Sequence, residues 1–403
     1  MCLRETYFLL PMLWLSGCTG IIHKRHFPVP MAWNDSDAYV YSTSADALAL
    51  GSAVSSEGTL YSVGAATDSS QGLFWIVRMQ SAGGSEWANS ESFQRTASWD
   101  SQANAIAIDA DDTLWVAGQA LDNSGNFIWL VRSKTEEGSW VTSDEFVLSG
   151  SGASSALSLA VGEGGDIYAA GSATDSSGFQ HAIVRLYDAE SQTWSTFMDY
   201  QESGSEESLA QGIAVDADSG DVAVVGHSRQ GSDVNLHVWR YDTAWHVVDF
   251  FQASAGKTAA GTAAAFDENG NLFVVGMATA SSDDSKWVVR RQSHKTPLGD
   301  FSTKESFQLE TGFDAWANSV RVSPETGIVY AAGTALASSG FSSGLVRKLS
   351  EASKDWESDT SSLGGNGMNY GLYSLAFGPI GNAVSAGFSA DLSFSGIFSK
   401  VLE

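Results

Sequence analysis

Seven times along this chain an apolar run ends in a glycine, and in six of the seven an arginine follows fourteen positions later. The glycines are Gly64, Gly118, Gly171, Gly226, Gly276, Gly333 and Gly387, spaced 54, 53, 55, 50, 57 and 54 residues apart. The arginines are Arg78, Arg132, Arg185, Arg240, Arg290 and Arg347; the seventh copy has Lys400, one position early. These copies are numbered repeats 1 to 7. A unit of this size cannot bury a core alone and must stack against its neighbours. The 403 residues therefore read as one array rather than as two or three independent domains.

Each repeat holds four short strand candidates. The first is small and apolar, as in Ala103 to Ile108 and Ala210 to Val215. The second ends at the glycine and the third at the arginine, as in Thr113 to Gly118 and Phe127 to Arg132. The fourth opens on a tryptophan: Trp87, Trp140, Trp194, Trp245 and Trp356. Six residues after four of these stands Phe93, Phe146, Tyr200 or Phe251. An even spacing places both rings on one face of a strand. No segment has an apolar period of 3.6, so no helix is expected.

Units of four strands repeated seven times imply an all-β fold, a seven-bladed β-propeller with four-stranded antiparallel blades. An open solenoid would need atypical capping repeats at its ends. The seventh copy instead stops after its third strand, and Trp33 to Ser42 fits the fourth-strand pattern, with Trp33 and Tyr39 at the six-residue spacing. The expectation is a ring over residues 31–403 closed by this N-terminal strand, which completes the last blade. Asp267 to Gly276, DENGNLFVVG, resembles the bacterial seven-bladed propeller repeat of secreted and lipid-anchored proteins (SBBP-like). That resemblance implies a propeller and an envelope location, and it names no activity.

The N-terminus reads as an address. Arg4 precedes an apolar stretch from Tyr7 to Leu15 that is too short to span a bilayer. Leu15-Ser16-Gly17-Cys18 then resembles a lipobox. The resemblance implies a signal peptide over 1–17, acylation at Cys18 and, with Thr19 next, delivery to the outer membrane of a Gram-negative cell. Residues 18–30 form a lipidated tether whose His23 and His26 read as polar spacers. Cys2 and Cys18 are the two cysteines, so no disulfide or cysteine metal site is available to the repeats.

Charge narrows the partners. Lys and Arg number 21 against 47 Asp and Glu, a formal net charge of −26, which argues against nucleic-acid phosphate. No HExxH or GxSxG motif appears, so no catalytic residue, metal ligand or cofactor is assigned. Clustered acids at Asp109 to Asp112 and Asp216 to Asp221 lack the bidentate glutamate of a calcium loop and read as turns. Asp68, Asp122, Asp175 and Asp391 each follow a repeat glycine by four residues and read as loop residues that accept their own backbone N–H groups.

What recurs in every repeat serves the framework, and what differs can serve a ligand. By that rule the arginines are structural, pairing with acids or carbonyls at the end of strand three. The ligand-binding candidates are irregular residues of the loops leading into the first strands: Trp99 and Asp100 in one, Phe313, Asp314 and Trp316 in another. Arg321, a charge within a first strand, is placed on the channel wall. The functional expectation is a lipid-anchored, monomeric binding or interaction module for a protein or carbohydrate ligand, touching the membrane only through its anchor. The alternatives are a propeller hydrolase or lyase acting on polysaccharide, and a scaffold in outer-membrane assembly.

Overall fold

The computed structural model describes residues 33–39, 47–68, 72–150, 152–294, 299–349, 355–358, 369–378, 383–390 and 395–402. The signal and tether, with Cys18, His23 and His26, lie outside them, as does Asp391. The fold is an all-β propeller of four-stranded antiparallel blades. In repeat 1 the strands Ala47–Val54, Leu60–Asp68, Gly72–Gln80 and Ala88–Phe93 pair in chain order. Repeats 2, 5 and 6 form separate sheets of the same order. Repeats 3 and 4 share an eight-stranded sheet, its halves joined by one parallel pairing, Gln180 with Glu207. Repeat 7 supplies Asn369–Phe377, Ala383–Ala390 and Ser395–Leu402, and the fourth strand of that sheet is Trp33–Tyr39. Trp33 lies opposite Leu402 and Tyr39 opposite Ile397. Among the described residues the only helical turn is a 3-10 segment, Glu163–Gly165.

The repeat glycines have a steric cause. None of the seven has a positive φ. Each stands where the neighbouring first strand crowds it: a Cβ on Gly118 would lie 2.0 Å from the Gln102 carbonyl oxygen and 2.6 Å from Trp75 Cζ3 of repeat 1. Gly171 meets the Ser155 carbonyl and Trp129 at the same two distances. Close approach of backbone is what glycine permits here. Gly118→Ala is expected to lower stability by ~1–3 kcal/mol through overpacking. An unchanged urea midpoint would show that the two strands can spread.

Every first strand carries a bulge, and so does every fourth-strand pairing except the short one of repeat 6. In repeat 2 the pairing slips between Ala103 and Ala105 in the first strand, and between Val131 and Arg132 opposite the fourth. A bulge adds a residue and breaks strict alternation. The expectation that the two rings of a fourth strand share a face is therefore overturned. Trp140 lies in the core between repeats 1 and 2 with Phe93, whereas Phe146 lies in the core between repeats 2 and 3 with Trp194. Trp194 and Tyr200 of repeat 3, and Trp245 and Phe251 of repeat 4, divide between the two flanking cores in the same way. Trp129 and Phe146 meet edge to face at 6.2 Å, and Trp75 and Phe93 at 6.3 Å.

The arginines also need correction. Their partners are not at the end of strand three but on the fourth strand of the preceding repeat. Arg132 holds Glu91 at 2.6 Å, Arg185 holds Asp144 at 2.7 Å, and Arg290 grips Asp249 at 2.5 and 2.7 Å. Arg347 holds Glu305 at 3.0 Å. The offset is 41 residues in the first three pairs and 42 in the last. Arg78 has no repeat before it, and it finds Asp37 at 2.9 Å, again 41 residues back, on Trp33–Tyr39. Each guanidinium also covers the ring two residues beyond its acid: Phe93, Phe146, Phe251, Phe307 or Tyr39, at 3.8 to 4.6 Å.

Repeat 3 breaks the pattern. Met198 stands at the position of the acid, buried in the apolar core. Arg240 turns instead to Asp221 at 2.6 Å and to the Gln292 amide oxygen at 3.0 Å. Tyr200, the ring left without its guanidinium, packs edge to face on Trp239 at 5.3 Å.

Candidate functional site

The first strands position the site. Their bulge residues are Leu50, Asn104, Leu157, Gln211, Thr262, Asn318 and Tyr373, one per repeat. All seven line one cavity of about 120 Å³. A bulge re-aims its side chain out of the alternation. Three of these side chains also tie neighbouring repeats together. Asn104 Nδ2 donates to the Ala156 carbonyl at 2.8 Å, Thr262 Oγ1 to the Ala317 carbonyl at 2.7 Å, and Asn318 Nδ2 to the Leu372 carbonyl at 2.8 Å. The layer is fixed in geometry yet varied in chemistry, from leucine to amide to phenol. Arg321 lies on the cavity wall, as its sequence position suggested.

Four residues before the bulge, the chain enters the first strand, and here the candidates divide. Asp100 Oδ1 accepts the Leu73 N–H at 2.8 Å, and Asp314 Oδ1 accepts the Ser285 N–H at 2.7 Å. Asn369 Oδ1 does the same for Ser342 at 2.9 Å. These residues cap the start of the third strand in the preceding repeat, which is a framework task. Trp99 is half-buried beside the hairpin tip at Gly125, and Phe313 is half-buried in its turn. Trp316 is not in the loop: it belongs to the strand Ala315–Val322, opposite Thr334. The misplacement arose because the loop before it is short, so the strand starts at Ala315. Trp316 is half-buried, while Ala315 and Ala317 enter the core.

In repeat 4 the same entry position is Glu207, and its carboxylate does not cap. The capping contact comes from the Glu206 carbonyl, which accepts the Gln180 N–H at 3.2 Å. Glu207 is thereby free to join a cluster. Its Oε1 lies 2.7 Å from His227 Nε2, and its Oε2 accepts from Arg229 at 2.6 and 3.2 Å. His227 Nδ1 is 3.3 Å from Gln211 Oε1, the bulge residue on the cavity wall. The hydrogen bond with His227, followed by those from Arg229, holds the Glu207 carboxyl down at about 2. No other repeat carries these residues at these positions. Sequence reading missed the cluster because its members come from two strands. The signal was present, however: a histidine directly after the repeat glycine occurs only at His227.

The acidic turns do local work. Asp122 accepts the Ser124 and Asn126 N–H groups, and Asp175 those of Ser177 and Phe179. These hydrogen bonds lower both carboxyl pKa values. Asp109 accepts from Asp111, Thr113 and the Trp115 indole. Among the described residues no group of three or more His, Cys, Asp or Glu is arranged to hold a metal ion.

Comparison with known proteins locates the fold. No protein-family model matches the chain, and no curated protein matches it in sequence. Among solved structures it is similar to the periplasmic gluconolactonase PpgL of Pseudomonas aeruginosa, with a TM-score of 0.53 at 11% identity over 89% of this chain and 96% of that one. A protein of unknown function from Dyadobacter fermentans gives 0.52 at 11% identity, covering 94% and 100%. The β-propeller domain of the Trilobed protease of Pyrococcus furiosus, described as having an open velcro topology, gives 0.51 at 10% identity, covering 88% and 95%. Likeness at this identity speaks for the propeller fold alone.

Proposed function

We propose that this chain is a seven-bladed propeller of the bacterial cell envelope, SBBP-like and lipid-anchored through Cys18 after removal of 1–17, that acts as a binding module for a protein or carbohydrate. Three observations support the closed ring. First strands from all seven repeats contribute to one cavity. The eight-stranded sheet of repeats 3 and 4 is held together by a single bridge, so it counts as two blades. The strand Trp33–Tyr39 carries the bulge, the acid and the ring of a fourth strand, and its Asp37 clasps Arg78 of repeat 1.

The binding reading rests on one observation: in repeat 4 an entry residue released from capping has built the Glu207–His227–Arg229 cluster beside the cavity wall, a departure the framework does not require. Trp316 on its first strand adds an aromatic plane of the kind that stacks on sugars or buries in a protein partner. A glycan array and an affinity capture from envelope extract test this reading, with Trp316→Ala and Glu207→Gln as controls. Either variant is expected to weaken a discovered ligand at least ~10-fold, a loss of about 1.4 kcal/mol, while unfolding as wild type. Normal binding by both would remove the site.

One observation favours a hydrolase or lyase acting on polysaccharide instead: a carboxylate and an imidazole at 2.7 Å are a pair suited to moving a proton. Under that reading Glu207→Gln abolishes depolymerisation while substrate binding persists. A scaffold in outer-membrane assembly would show itself as one stoichiometric membrane partner in the capture.

A further inference from the structure

The position three residues past each first-strand bulge is alanine in six repeats: Ala53, Ala107, Ala160, Ala214, Ala265 and Ala376. In repeat 6 it is Arg321. Ala53, Ala107, Ala160, Ala214 and Ala265 pack in the cores between repeats and none of the six alanines lines the cavity, whereas Arg321 does, so the arginine departs from the pattern in both chemistry and placement. The guanidinium donates through Nη1 to the Val320 carbonyl at 3.0 Å. Among the described residues no carboxylate pairs with it, and the wall of the cavity it faces contains no Asp or Glu. The five repeat arginines that reach an adjacent repeat's fourth strand, and Arg240, all have acids. Arg321 stands apart from all of them. Burial alone lowers its pKa, with no opposing charge to raise it.

Arg321 is half-buried against the cavity, so its guanidinium has given up part of its hydration without gaining a carboxylate, and it cannot escape by losing its proton. Around it the wall is rich in small polar groups: Ser52, Ser158, Ser319 and Ser374, with the Asn104 and Gln211 amides. The cavity, at about 120 Å³, far exceeds the ~10–15 Å³ that one water needs. We propose that the axial cavity is a binding site for a small anion, an oxyanion or short carboxylate, with Arg321 as its charged ligand. The planar fork of the guanidinium suits two oxygens of one such group. The site does not rest on the ligand proposed for the Glu207 cluster.

The test uses purified full-length protein in a low-salt zwitterionic buffer, titrated separately with sodium phosphate, sodium acetate and sodium chloride while the thermal midpoint is followed. Phosphate or acetate is expected to raise Tm saturably at millimolar concentration, and more than chloride does. Arg321→Ala, which writes the residue of the other six repeats, should weaken that response at least ~10-fold, which corresponds to about 1.4 kcal/mol. Arg321→Lys should keep part of it. An equal response in Arg321→Ala, a response to chloride as large as to the oxyanions, or none to any of the three would each overturn the proposal.

Discussion

Asp249→Ala is expected to destabilise the protein by ~3–5 kcal/mol, because it leaves the Arg290 guanidinium buried beside Phe251 with its acid gone. Both side chains of the pair are below a tenth exposed, so solvent cannot take over the lost partner. The intact clasp need not contribute that much. Burial pushes the Glu91 and Glu305 carboxyls up even though arginine hydrogen bonds pull them down, so desolvation offsets much of the attraction. The double variant Asp249→Leu with Arg290→Met should therefore regain most of the loss. Urea midpoints of Asp249→Leu, Arg290→Met and the double give the coupling directly. The same change at Asp37 tests the proposed closure. If the strand Trp33–Tyr39 locks the ring, Asp37→Ala should cost as much as Asp249→Ala. A loss below ~1 kcal/mol, the range of an exposed pair, would mean that the seam is not clasped there.

The repeat and its strands were legible because their signals are local. A glycine, an arginine and an alternating run can be counted within one copy. The clasp was not counted, since its halves lie 41 or 42 residues apart on neighbouring repeats. Yet its signature stands in the sequence as an acid two residues before the fourth-strand ring: Glu91 with Phe93, Asp144 with Phe146, Asp249 with Phe251, Glu305 with Phe307, and Asp37 with Tyr39. Reading that pattern would have assigned Trp33–Tyr39 to a fourth strand on a second, independent ground. The bulges were invisible for a different reason. They follow from two strands of unequal length in register, which no single strand records, and they reversed the parity argument for Trp140 and Phe146. The loop residues Asp100 and Asp314 looked free because their partners, Leu73 and Ser285, belong to the preceding repeat.

Acid should expose one more departure from the pattern, at His237. Three residues before the arginine, repeats 1, 2 and 5 have Trp75, Trp129 and Trp287, all fully buried; repeat 4 has His237, equally buried. Its ring stacks on Trp239 at 5.1 Å and meets Phe250 at 4.6 Å. Nε2 lies 2.8 Å from Ser228 Oγ, and Nδ1 has no hydrogen-bond partner. Burial, which outweighs the attraction of Glu202, holds its pKa down at about 4. In the unfolded chain the value is ~6.5. Between these two values the unfolded state binds a proton that the folded state refuses, so stability falls as pH drops from about 6.5 to about 4 and levels off below. The interval of about 2.5 units corresponds to ~3 kcal/mol. Glu207, whose contribution starts to fade as pH falls below the ordinary glutamate value of about 4.5, is common to both proteins and cancels in the comparison. His237→Gln keeps a hydrogen-bonding group for Ser228 but does not titrate. Measured at pH 7, 6, 5 and 4, the unfolding free energy of the wild type minus that of the variant should therefore fall by ~3 kcal/mol as the pH drops. Parallel curves would mean that water reaches the ring and that the buried histidine can take up its proton in place.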